Sequence, residues 1–181
     1  MATHVALLRG VNVGGTTVGM APLRSGFEAL GLAEVRTYLQ SGNVVFAVEG
    51  GDPSVLAAVI RARVAADFGH EVGVLVLTSR EVVDVAHGNP FVAGDEAVDE
   101  RHLHVTFLFE RPSENEFVQL DLPAAEGERA VLAGRVVYLH LPSGYGRTKL
   151  TNAFFERKLG MRATTRNWRT VLALAGMVTA R

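Results

Sequence analysis

The order of periodicities in the first 78 residues constrains this chain more than any other feature in it. Thr3–Arg9 reads as a strand around the apolar run Val5-Ala6-Leu7-Leu8, and Gly10–Gly19 follows as a glycine-rich loop. Met20, Leu23, Phe27 and Leu30 then recur at helical spacing, with Pro22 near the start and Gly31 at the end. Val35–Gln40 alternates, with Val35, Thr37 and Leu39 on one side and Arg36, Tyr38 and Gln40 on the other. Ser41-Gly42-Asn43 is a turn, and Val44–Val48 returns as the second arm of a hairpin. Asp52-Pro53 supplies an N-cap and a first helical residue. Leu56, Ile60, Val64 and Phe68 stripe the helix that follows, and Val72–Leu77 is a fourth strand. The order β-α-β-β-α-β is that of the ferredoxin-like split βαβ unit. Its sheet carries helices on one face, so the other face must be solvated, covered or used for binding.

The rest of the chain is less regular. Thr78-Ser79-Arg80-Glu81 is a capping box that opens a helix to about His87. Gly88–Glu100 contains Asn89-Pro90-Phe91 and an acidic run, and reads as a linker between subdomains. His102–Phe109 alternates as a strand, and Ser113-Glu114-Asn115-Glu116 is a second capping box for a short helix. Residues 130–133 and 135–141 flank Gly134 as a hairpin, Pro142–Lys149 is a polar loop, and 152–159 are helical. Asn167 caps a last helix from Trp168 to about Ala180. The expectation is an α+β chain of two packed subdomains. Residues 1–88 form the ferredoxin-like one, and 89–181 a smaller α+β unit with basic C-terminal helices. No repeat of fixed period is visible, although the two halves are compatible with related topologies.

Charge is divided unevenly. The 18 basic and 19 acidic residues give a net charge of −1. Residues 1–133 hold 9 basic and 18 acidic residues, a balance of −9. Residues 134–181 hold 9 basic residues against Glu156 alone, a balance of +8. Such asymmetry suggests an anionic partner for the basic part. The cations Arg147, Lys149, Arg166 and Arg169 fall in two short motifs at loop-to-helix entries, which suits a localised anion pocket better than a long track for a polyanion.

Four segments carry the polar chemistry. In Leu7–Gly15, Arg9 ends a strand and Asn12 lies in a glycine-rich loop that leads to a helix, where backbone N–H groups can approach an anion. The glycines do not follow the G-x-G-x-x-G or Walker A spacing. In Arg36–Asn43, Arg36, Tyr38 and Gln40 line a strand expected to lie next to the first one, near Arg9, and Asn43 ends the turn. Pro142–Asn152 places Arg147 and Lys149 with several hydroxyls before a helix, without the Gly-Lys-Ser/Thr order of a P-loop. In Thr164–Arg169, Asn167 is an N-cap, Trp168 a core residue, and Arg166 and Arg169 have few acids nearby in sequence.

No carboxylate stands in any of these segments, which leaves general acid–base and metal-assisted hydrolysis without their usual groups. His102 and His104 share the spacing of one strand face, but no carboxylate accompanies them, so neither a metal nor a cofactor is expected. The chain has no cysteine, which excludes disulfides and a Cys nucleophile. Met1–His4 lack the basic, then apolar pattern of a secretory leader, and no apolar run reaches membrane-spanning length. A cytoplasmic protein with no membrane partner is the expectation.

Leu7–Gly15, Thr37–Phe46, Asn89-Pro90-Phe91, Tyr138–Lys149 and Thr164–Thr170 resemble, in the same order, the hallmark segments of a bacterial domain-of-unknown-function family. Its signatures have the forms LLRG(I/V)NVGG and TxRNWxT. The resemblance implies a two-subdomain α+β protein and supplies no catalytic residues. Thr148 departs from it, standing where many relatives have a Ser after the basic residue. Three functions follow, in order of preference. The first is a protein that holds a small phosphate- or carboxylate-bearing ligand between the subdomains, through Arg9, Asn12, Arg36, Tyr38, Asn43, Arg147, Lys149, Arg166, Asn167 and Arg169. The second is a protein-interaction module whose charges pair internally. The third is a nucleic-acid binder, disfavoured by the acidic first 133 residues and by the lack of an RNP1-like pattern in the third strand. The choice between enzyme and binder, and the oligomeric state, stay open at this level.

Overall fold

The computed structural model describes residues 1–92 and 98–180. The acidic part of the expected linker, Asp95-Glu96, lies outside the described residues. The chain divides into two compact units, Met1–Asp84 together with the chain from Leu174 onward, and Val85–Ala173.

The first unit runs β1 (Ala2–Arg9), α1 (Met20–Ala29), β2 (Ala33–Tyr38), β3 (Asn43–Val48), α2 (Pro53–Phe68), β4 (Gly73–Thr78) and α3 (Ser79–His87) as far as Asp84. Its antiparallel sheet has the order β2-β3-β1-β4, the ferredoxin-like arrangement. β3 therefore separates β2 from β1, which corrects the expectation that the Arg36-bearing strand lies next to the first strand. β1 pairs with β3 from Ala2↔Val48 to Leu7↔Asn43 and with β4 from His4↔Thr78 to Arg9↔Gly73. Alternate residues Ala6, Leu8, Val44, Phe46, Val74 and Val76 meet Leu23 and Phe27 of α1 and Ile60 and Val64 of α2 in one core. Full burial of each such large side chain contributes about 1.5–3 kcal/mol. Phe27 packs edge-on against Phe46 at 5.6 Å. Val5, Leu7, Leu75 and Leu77 on the opposite face are buried as well, so that face is not solvated.

The alternation read through Gln40 stops at Tyr38. Leu39 adopts φ 55 and is 57% exposed, because the hairpin reverses there. Glu34 also has positive φ (51), and the β2–β3 register shifts between Ala33 and Arg36. Such a bulge twists an edge strand away from partners.

The second unit runs β5 (Leu103–Leu108), α4 (Glu114–Val118), β6 (Arg129–Ala133), β7 (Val136–His140), α5 (Asn152–Leu159), β8 (Ala163–Asn167) and the start of α6 (Trp168–Thr179), whose residues from Leu174 on belong to the first unit. The sheet order is β6-β7-β5-β8, the same order as in the first unit when its strands are counted from β5. The smaller α+β unit is thus a second βαββαβ unit, and α6 follows β8 as α3 follows β4. Residue patterns agree with this. His4-Val5-Ala6-Leu7-Leu8 in β1 answers to His104-Val105-Thr106-Phe107-Leu108 in β5. His4 pairs with Thr78, the last residue of β4, and His104 with Asn167, the last residue of β8. α2 and α5 both end on a left-handed glycine, Gly69 (φ 69) and Gly160 (φ 67). The core of the second unit gathers Leu108, Phe117, Val137, Leu139, Leu150, Phe154, Phe155 and Ala163. Strand β8 occupies Ala163–Asn167, where a loop entering a helix is expected from the sequence.

Candidate functional site

In the first unit the polar segments mostly tie backbone to backbone. Asn12, itself at φ 55, donates from Nδ2 to the carbonyls of Val18 (3.0 Å) and Gln40 (2.6 Å). Its Oδ1 accepts from Val18 N–H at 2.9 Å. The glycine-rich loop is thereby fastened to the β2–β3 turn, and the amide has no donor left for a ligand. Asn43 is fully buried, and its Nδ2 donates to the Tyr38 carbonyl and to Ser41 Oγ. Arg36 donates to the Met177 carbonyl at 2.8 Å, in the last turn of α6, where a cation suits the helix C-terminus. Arg9 and Tyr38 are half-buried.

In the second unit the TxRNWxT segment spans the end of β8 and the start of α6. Asn167 Oδ1 accepts from Thr170 N–H at 2.9 Å, the N-cap bond read from the sequence. Trp168 is buried in the core. Arg166 is buried too, and its Nη1 donates to Thr164 Oγ1 (2.7 Å) and the Thr165 carbonyl (2.9 Å), so its guanidinium serves the strand. Arg169 is exposed.

A cavity of about 350 Å³ opens at the start of α6, lined by Glu100, Arg101, His104, Asn167, Trp168, Arg169 and Leu172. That volume is at the small-ligand end of the usual range. Arg101 pairs there with Asp99, with Nη2 to Oδ2 at 2.6 Å and Nε to both carboxylate oxygens at 3.0 Å. The Arg101 guanidinium holds the Asp99 carboxyl well below the usual carboxylate range. His104 stacks on Tyr145, with ring centroids 5.3 Å apart. Burial pushes the His104 pKa down and outweighs the proton-favouring carbonyl of His102, so the ring is uncharged near neutral pH. Tyr145 comes from the Pro142–Lys149 loop. Its hydroxyl donates to Thr165 Oγ1 (3.4 Å) and accepts from Asn152 N–H (3.3 Å). Thr165 Oγ1 donates to Asn152 Oδ1 at 2.6 Å and meets Thr106 Oγ1 at 2.8 Å. The loop is therefore anchored beside the cavity. Arg147 and Lys149 on it are exposed and do not line the cavity.

The matching helix start in the first unit is filled from within. Glu81 Oε2 accepts from Thr78 N–H (2.8 Å) and Thr78 Oγ1 (2.9 Å), so a carboxylate sits at the start of α3. Arg80 faces Asp84 at 3.7 Å. Counted from the strand-ending residue, α6 has Thr170 in place of Glu81, Ala173 in place of Asp84, and Arg169 in place of Arg80. The second helix start keeps the cation and lacks both carboxylates. Among the described residues, no carboxylate pairs with Arg169.

Of the ten candidate residues, the cavity gathers Asn167 and Arg169. The sequence reading missed Glu100 and Arg101, although Asp99, Arg101 and the following strand carry a readable cap-and-cation pattern. His104 stands out in the sequence only as half of a metal pair with His102. His102 in fact closes a short 3-10 turn (Glu100–His102) before β5, so the two histidines do not share a strand. Among the described residues no three His, Asp or Glu side chains gather to hold a metal ion. No helix among them is long and apolar enough to cross a membrane.

Comparison with known proteins adds a family and a fold. A family described as "Protein of unknown function (DUF1697)" matches residues 1–138. No curated protein matches the chain. The structure of conserved bacterial protein SP0830 from Streptococcus pneumoniae is similar along the whole length. Its TM-score is 0.75 and its identity 21%, with 99% of each chain covered. At that identity the likeness is one of fold.

Proposed function

The chain belongs to the DUF1697 family, whose function is unknown, and from the geometry we propose that it holds a small carboxylate- or phosphate-bearing ligand in the cavity at the start of α6. One observation carries the reading. The two halves share topology and helix-start pattern, yet the carboxylate that fills the first helix start, Glu81, is replaced by Thr170 in the second. A helix start attracts negative charge through its free N–H groups and dipole. An external anion at α6 would supply the missing charge. Arg169 would pair with it, and Arg101, paired with Asp99, would add a second guanidinium at the opening. Glu100 on the rim is suited to a ligand hydroxyl or amine. Uncharged His104, stacked on Tyr145, offers a ring nitrogen without adding charge. A cysteine-free sequence favours a reducing compartment such as the cytoplasm.

The test is titration calorimetry and thermal unfolding with acetate and inorganic phosphate. Arg169→Ala should weaken binding by about tenfold or more, the effect of one charge-assisted hydrogen bond. Equal stabilisation of the wild type and Arg169→Ala by both anions would overturn the reading.

A further inference from the structure

The two sheets end on equivalent strands, β2 and β6, and treat their free edges differently. β2 is disrupted by the left-handed Glu34, a register shift, and the exposed charges of Glu34 and Arg36. These devices discourage another strand from adding on. β6 has no left-handed residue and no register shift, and its one charge is Arg129 at its first position, held over the Phe91 ring. It pairs with β7 in unbroken register from Arg129↔His140 to Ala133↔Val136, and its interior is Ala130-Val131-Leu132. β6 ends its sheet, and in an antiparallel ladder alternate residues turn N–H and C=O groups away from the paired neighbour. Val131 at its centre is 38% exposed. Beside it a cavity of about 390 Å³ is lined by Phe117, Val118, Ala130, Leu132 and the polar Arg111 and Glu114. Val118 there is 80% exposed.

We infer that the edge of β6 is an interface with a second copy of this chain, joined antiparallel about Val131 into one continuous sheet. The flanking charges select this occupant and this direction. Glu126 and Glu128 precede β6, and Arg135 follows it. Antiparallel pairing of two copies sets the acidic flank of each beside the basic flank of the other, twice over. Parallel pairing would set like beside like. With the two-fold axis at Val131, Arg129 lies opposite Ala133, so no like charges oppose each other within the strands. A two-fold contact of this kind is self-complementary and closes.

Sedimentation velocity over a range of protein concentrations tests it, together with amide hydrogen exchange of β6. The wild type should form a dimer whose β6 amides gain protection as concentration rises. Val131→Lys should be monomeric at the same concentrations, with an unchanged melting temperature in dilute solution. A wild type that stays monomeric up to high concentration would overturn the inference. So would a dimer that Val131→Lys leaves intact, or one in which β6 amides stay unprotected.

Discussion

At the scale of single residues, several polar groups that sequence reading offers to a ligand are committed to the fold. Asn12 spends its whole amide on Val18 and Gln40. Asn12→Asp keeps the shape and removes the donors, so it should cost about 1–3 kcal/mol for carbonyls left unsatisfied, read as a lowered melting temperature. Gly42 is required by position. It has φ +75, and an added Cβ would sit 2.6 Å from Val11 Cγ2 and 2.7 Å from Leu8 Cβ. Gly42→Ala combines left-handed strain of about 1–2 kcal/mol with overpacking of about 1–3 kcal/mol. For a chain of this size the melting temperature should fall by about 4 °C or more. His104 gives the chain a pH dependence. Its folded-state pKa lies below the ordinary 6.5, because burial disfavours the charged ring. Its contribution to stability is therefore full above 6.5 and is lost as pH falls through the folded value. Melting curves from pH 8 down to pH 5 should show a loss that His104→Gln reduces. An unchanged pH profile in His104→Gln would show that the ring carries no such linkage. Tyr138 acts at the opposite end of the pH scale, its contribution full below the ordinary 10 and lost as pH rises through the folded value. Burial pushes its hydroxyl up to about 12 while it donates to the Val85 carbonyl at 3.0 Å.

At the scale of elements, legibility followed local signals. Asp52-Pro53, the Thr78–Glu81 box and the Ser113–Glu116 box each name a helix start through bonds within four residues. All three are present. β1, β3 and β4 announce themselves by long apolar runs, since both of their faces are buried. β8 does not. Its residues Ala163-Thr164-Thr165-Arg166-Asn167 are polar, and their burial depends on partners far along the chain, such as Thr106 and Asn152. The cavity was hidden for the same reason. It joins Glu100 and Arg101 to Arg169 across about seventy residues, and no short window contains it. Thr170→Glu should recreate at α6 the box that α3 already has. It should therefore compete with any external anion and abolish acetate and phosphate binding. Because Thr170 is buried, circular dichroism must first confirm that the variant folds. Full-strength binding by a folded Thr170→Glu protein would contradict the reading.

At the scale of the whole molecule, the chain is one βαββαβα pattern used twice, with different fates for matching features. The helix start after β4 is closed by its own carboxylate, while the one after β8 opens on a cavity. The edge at β2 is broken by a bulge, while the edge at β6 is regular. The charge split takes on a narrower meaning in this frame. The excess of +8 in the last 48 residues includes Arg166, used within its strand, and Arg169, facing the cavity. The central claim is that α6 begins at an anion site. Nitrogen-15 spectra of the wild-type chain, recorded during titration with acetate and then phosphate, test it most directly. The account predicts saturable shifts at the amides of Trp168, Arg169 and Thr170 and at the His104 ring, absent in Thr170→Glu. Saturable shifts confined to the Gly10–Gly15 loop, or no saturable shifts at all, would contradict it.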